Sequence, residues 1–205
     1  MRKNQRRPLS MLVMALLVAL LLSACGGATT ETAPPAGQAP AASEGPEDRV
    51  KGFFATLSEA FNDPNLSDEA RRTELSDRLA NYVEPSEQAQ VRSDLQQALA
   101  EYAAADFGSM IGEEDLDIRL EVRFTVTETR LVEESADRAK VEVLEGTIST
   151  RLAGADAEQM GEFAQMINQE SSISEFFGEE DDDRLIDLIK IDNVWYFTDV
   201  SDFGF

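Results

Sequence analysis

Apolar residues recur along this chain with two periods, and the change from one to the other organises it. Val50, Phe53, Phe54, Leu57 and Phe61 fall at i, i+3, i+4, i+7 and i+11, the stripe of a helix with one buried side. The stretch NDPNLS, residues 62–67, interrupts that pattern, and Ser67 is expected to cap a second helix carrying Leu75, Leu79, Tyr82 and Val83. EPSEQ, residues 84–88, interrupts again. Ser86 is expected to cap a third helix with Val91, Leu95, Leu99 and Tyr102 on one face, ending near Phe107 and Gly108.

From Leu116 the period falls to two. Leu116, Ile118, Leu120, Val122, Phe124 and Val126 alternate with Asp117, Arg119, Glu121, Arg123 and Thr125, which predicts a strand with one core face and one wet face. After Val126 the apolar phase shifts to Thr129 and Leu131, and across the turn EESADR it continues at Ala139, Val141 and Val143. It reverts at Gly146, Ile148 and Leu152. With the turn centred near Ala136 the two phase changes face each other, which predicts a long, strongly curved hairpin with a bulge or bend around Gly146.

Asp156 and Gln159 have capping-box spacing ahead of Met160, Phe163 and Ile167, predicting a fourth helix. Phe176, Phe177 and the acidic run GEEDDD then lead to LIDLIKI and VWYFTDV, joined by Asp192-Asn193, a pair suited to positive φ in a two-residue hairpin turn. The predicted class is α+β: N-terminal helices packed on a curved antiparallel sheet made of two hairpins with an intervening helix.

Ahead of the periodic region the pattern is of another kind. MRKNQRR is followed by an apolar run from Leu9 to about Leu22 and then by small residues, the order of an export signal. That run is shorter than the roughly 20 residues that span a bilayer as a helix. Leu22-Ser23-Ala24-Cys25 resembles the lipobox of bacterial lipoproteins: an aliphatic residue, two small residues and a cysteine. The resemblance implies that a signal peptidase recognises Leu22, Ser23 and Ala24 and cuts before Cys25, whose thiol carries diacylglycerol. Two or more acyl chains give stable anchoring where one is marginal. Gly26 follows, not the aspartate that retains some lipoproteins at an inner membrane.

Residues 26–46, GGATTETAPPAGQAPAASEGP, carry no large apolar side chain and cannot build a core. The expected organisation is a signal peptide over 1–24, a lipidated cysteine with a Pro/Ala/Gly-rich tether over 25–46, and one α+β domain over 47–205. The expected location is the extracytoplasmic face of a bacterial membrane.

Composition narrows the chemistry. Cys25 is the only cysteine, so an intramolecular disulfide is excluded, as is any site that needs several cysteines. Histidine is absent, which removes the commonest general base and transition-metal ligand. The formal charge is −22, with all 40 acidic residues and 14 of the 18 basic ones lying beyond Cys25. Such a body repels nucleic acid and anionic lipid surfaces. The expected membrane contact is therefore the lipid on Cys25.

No phosphate-binding, nucleophile-elbow or zinc motif is present. Glu179, Glu180, Asp181, Asp182 and Asp183 are weak calcium candidates. An EF-hand beginning at Asp181 would put Leu185 at a ligand position and Ile186 where glycine is required, so the run reads first as a solvated acidic loop.

The element order, with IKIDNVWYFTD as the final hairpin, resembles the cone-shaped nuclear-transport-factor-2-like or cystatin-like domains found in bacterial lipoproteins. Three leading helical segments, where two are usual, depart from that pattern. The resemblance implies that Tyr82, Tyr102, Asp187 or Tyr196 would line the open end of a cavity, whereas periodicity alone makes them ordinary core or strand residues. Trp195 and the group Phe53, Phe54, Phe61, Phe107, Phe163, Phe176 and Phe177 read as packing residues. The leading expectation is a non-catalytic, lipid-anchored binding module without cofactor. The alternatives are a carrier of a hydrophobic ligand between helices and sheet, and a cone-fold enzyme using carboxylate and tyrosine acid-base chemistry.

Overall fold

The structure, a computed structural model, describes residues 44–105, 116–177 and 184–198. Helix α1 (Pro46–Phe61) opens with Pro46 at its first position and Glu47 and Asp48 in its first turn, where a missing N–H costs nothing and negative charge meets the helix dipole. Its predicted stripe is the heart of the core: Val50, Phe53, Phe54 and Leu57 are buried and Phe61 nearly so. Helices α2 (Glu69–Ala80) and α3 (Gln88–Ala104) pack on each other and on α1.

Two predicted caps are corrected. Asp68, not Ser67, caps α2, its carboxylate accepting from the Ala70 N–H at 2.8 Å. Ser86 lies outside α3, which starts at Gln88 without a side-chain cap. In both places the true start lies further along the chain, and for α2 an aspartate satisfies the first-turn N–H groups as well as a serine does. Tyr82 and Val83, expected on α2, follow its end at Ala80. There the chain pairs with the last strand: the Phe197 N–H donates to the Tyr82 carbonyl at 2.9 Å, and the Glu84 N–H to the Phe197 carbonyl at 3.0 Å.

Strands β1 (Arg119–Glu134) and β2 (Arg138–Ala153) form the long hairpin, turning at Ser135–Asp137. The rest of the sheet hangs on β2. One half pairs with β3 (Gln169–Ser172) and the other with β4 (Leu185–Ile191), which pairs with β5 (Val194–Phe197); every pairing between these strands is antiparallel. Asp192 and Asn193 have φ of 50° and 66°, as the two-residue hairpin turn requires.

The β1–β2 register explains the phase changes. Val126 opposes Gly146, then Glu128 opposes Glu145, so Thr127 is an extra residue on β1; Thr129 then opposes Val143, making Leu144 the extra residue on β2. These facing irregularities move the inward phase from even to odd on β1 and back on β2, and they coil the sheet more tightly. Inward side chains such as Leu120, Val122, Val141, Val143, Ile148 and Leu152 are buried under the helices. The opposite face is wet and laced with cross-strand ion pairs, including Arg151 with Glu121, Arg130 with Glu142, and Lys140 with Asp187 at 3.4 Å.

The predicted fourth helix is two pieces, a 3₁₀ turn (Ala157–Met160) and α4 (Gly161–Ile167), broken where Gly161 takes φ of 46°. Asp156 does not form the expected capping box. Its carboxylate accepts from the Gln159 side-chain amide at 2.6 Å and from the Asp117 N–H at 2.9 Å, so it ties this turn to the start of β1. A short helix, α5 (Ser174–Phe177), precedes the last hairpin and brings Phe177 edge-on to Phe54 at 6.0 Å.

Candidate functional site

Helix α1 presents three faces, and each does something different. The apolar stripe enters the core. On its border sits Arg49, only 4 % exposed, four residues before Phe53 and seven before Thr56. Its guanidinium stacks on the Tyr82 ring at 3.9 Å, approaches Tyr196 at 5.8 Å and donates to the Asn81 carbonyl. Glu44 lies 3.5 Å away. Burial lowers the Arg49 pKa, while Tyr82 and Glu44 oppose that shift. The group fastens the start of α1 to the α2–α3 connection and to β5. Its Nε has no hydrogen-bond partner among the described residues, so the side chain is held largely by its stack and its fork.

The α2-facing border carries an ion network. Arg78 forks onto Glu59 at 2.7 and 2.6 Å, and Arg71 reaches Asp63 at 2.7 Å and Glu74 at 2.6 Å. The Arg78 hydrogen bonds hold the Glu59 carboxyl below its usual range. Burial alone would push Asp63 up, but the Asn65 N–H and Arg71 outweigh it and bring it down. Glu121 is also lowered, first by Arg151. A depressed carboxylate stabilises the fold above its unfolded pKa and loses that contribution as pH falls through its folded value. The melting temperature is therefore expected to drop between about pH 5 and about pH 3, and Arg151→Gln to make the drop smaller. A melting temperature that stays level across that window would show that these pairs do not contribute to stability.

The third face is the row Lys51, Ala55, Ser58 and Asn62, which runs beside the free edge of β1. Edge strands leave alternate N–H and C=O groups unpaired, and here helix side chains satisfy them. Ser58 Oγ receives the Phe124 N–H at 2.7 Å and donates to the Phe124 carbonyl at 2.8 Å. Asn62 receives the Val122 N–H at 3.1 Å and donates to the Val122 carbonyl at 2.7 Å. The Tyr102 hydroxyl donates to the Leu120 carbonyl, and burial raises its pKa.

Past Phe124 this capping stops. An open groove of about 530 Å³ lies there, lined by Lys51, Ala55, Ser58, Glu59, Asn62 and the β1 residues 123–126. Val126 has the outward parity of Val122 and Phe124, and no side chain among the described residues hydrogen-bonds its main chain; the helix residues beside it are Ala55 and Lys51. Lys51 and Arg123 line this groove with no ion-pair partner among the described residues.

The four polar candidates do not converge. Tyr82 and Tyr196 flank Arg49, with the Tyr82 hydroxyl 3.1 Å from Thr56 Oγ1. Tyr102 packs on Phe61 at 5.0 Å, at the other end of a helix about 24 Å long. Asp187 is on the wet face beside Lys140. Trp195 is a buried packing residue with Lys190 Nζ 5.1 Å from its ring. Phe53, Phe54 and Phe61 are core, and Phe163 and Phe177 pack at its margin.

Leu22, Ser23, Ala24, Cys25, Phe107, the side chain of Phe176 and the acidic run from Glu179 to Asp183 lie outside the described residues. Among the described residues, no three Asp or Glu side chains are placed to share a metal ion, and no helix is long and apolar enough to cross a membrane. Sequence reasoning missed Arg49, Lys51 and Arg123. For Arg49 a signal existed, since it shares the helical face of Phe53 and Thr56. No family model, curated protein or solved structure matches the chain.

Proposed function

We propose that the protein is a lipid-anchored envelope lipoprotein whose α+β domain is a non-catalytic interaction module held off the membrane by the tether. The observation that carries this reading is Leu22-Ser23-Ala24-Cys25 behind a basic and then apolar leader, in a chain with no other cysteine. Two features of the fold support the interaction module over the alternatives. Between helices and sheet, Phe53 packs against Phe54 at 5.4 Å and against Phe197 at 4.9 Å, where a carrier would need a cavity. Of the residues that acid-base catalysis would use, Tyr82 and Tyr196 meet around Arg49, while Tyr102 packs at the other end of α1 and Asp187 lies beside Lys140; a reacting group must meet its partners within hydrogen-bond reach.

Cys25→Ser tests the anchor. The wild-type chain is expected in the membrane fraction at a mass that includes lipid and lacks the first 24 residues. The variant is expected in the soluble fraction or at the mass of the uncut precursor. A variant that fractionates and matures like wild type ends the lipoprotein reading.

A further inference from the structure

We propose that the groove between α1 and β1 is a docking site for an extended acidic peptide, whose main chain pairs with the uncapped edge at Val126 and whose carboxylates lie against Lys51 and Arg123. This rests on the reading of the domain as an interaction module and specifies the chemistry of its partner.

The edge comes first. Tyr102, Asn62 and Ser58 close the outward groups of Leu120, Val122 and Phe124 in turn. The same helical row continues with Ala55, whose methyl group can neither donate nor accept, so the protection ends at Val126. An open stretch of strand edge accepts another chain in extended form. The floor beside it is apolar and small, made by Ala55, Phe124 and Val126, which suits the inward side chain of such a segment.

Charge sets the rest. Eight of the arginines and lysines among the described residues are tied up in ion pairs. Of the other six, Lys51 and Arg123 are the two that line this groove, although the chain offers 40 acidic residues to pair with. Two cations left unpaired over one groove are complementary to an anionic partner. The net negative charge of the body opposes such a partner weakly, because at physiological ionic strength charges more than about 8 Å away are largely screened. Glu59 also lines the groove, but its carboxylate is engaged by Arg78, which leaves Lys51 and Arg123 as the unpaired charges there. Carboxylates on alternate residues of an extended peptide share one side of it, so they can face Lys51 and Arg123 while the other side chains meet the floor.

The test uses the full-length ¹⁵N-labelled chain in nanodiscs, titrated with the blocked tetrapeptide acetyl-Val-Glu-Val-Glu-amide. Its glutamine counterpart and hexanoate serve as comparison probes. Saturable shifts at the amides of Ala55, Thr125 and Val126 are expected, with the glutamine peptide about tenfold weaker. The double variant Lys51→Glu, Arg123→Glu should weaken binding at least about tenfold at unchanged melting temperature. Ala55→Trp, which fills the groove from an exposed position, should abolish binding and serves if the double variant misfolds. Equal binding of the two peptides, shifts with hexanoate alone, or no shift at about 1 mM peptide would each overturn the proposal. None of these results touches the fractionation of Cys25→Ser, so failure here and failure of the anchor are separable.

Discussion

Gly146→Val is expected to lower stability by about 2–4 kcal/mol, at the upper end of what overpacking does because the clash is with main chain. For a domain of this size that is roughly a 6–12 °C fall in melting temperature. A Cβ at position 146 would stand 2.3 Å from the Thr125 carbonyl oxygen, 2.9 Å from Ile173 Cγ2 and 3.2 Å from Val126 Cα. None of the three can yield cheaply. Thr125 and Val126 are held in the β1–β2 ladder beside the bulge at Thr127, and Ile173 is fully buried with its N–H donating to the Gly146 carbonyl at 3.0 Å. The exposed neighbour Glu145, changed to Ala, should move stability by no more than about 0.5 kcal/mol. If Gly146→Val melts within a degree of wild type, β1 and β2 do not approach so closely and the facing-bulge register is wrong.

Arg49→Ala is the second large expected effect, about 2–4 kcal/mol of destabilisation. It removes the stack on Tyr82, worth about 0.5–2 kcal/mol, and leaves the half-buried Asn81 carbonyl without its donor, a loss of up to about 2 kcal/mol. Arg49→Lys should recover little, since an ammonium neither forks nor stacks as a planar guanidinium does. Glu44→Gln should cost under about 1 kcal/mol, because Glu44 is 31 % exposed and 3.5 Å from its partner. Denaturant melts of the three variants read out the order. Were Glu44→Gln as damaging as Arg49→Ala, the ion pair and not the stack would hold the start of α1.

The two sites were unequally legible beforehand. The facing bulges were visible because period-two alternation is a strict ruler: one extra residue inverts every side chain that follows. Helix ends were less so. Ser67 and Asp68 are adjacent residues with equal capping chemistry, and sequence alone does not choose between them. The break at Gly161 was hidden because Met160, Phe163 and Ile167 keep helical spacing across it, and all three still pack on the core. For Arg49 the local sign is only its spacing from Phe53 and Thr56, and a charged residue in a first helical turn is ordinarily solvated.

By itself the sequence determined which side of each element is apolar, the α+β order and the curvature of the long hairpin. These follow from local periods and short-range steric chemistry. The tertiary structure decided what the polar rows meet. Lys51, Ala55, Ser58 and Asn62 read as an ordinary solvated face until β1, some 60 residues further on, is laid beside them. Ser58 and Asn62 then become caps for a strand edge, and Ala55 becomes the place where capping fails. Helical spacing reports which side of a helix is polar, but only the packed fold supplies the neighbour that gives that side its chemistry.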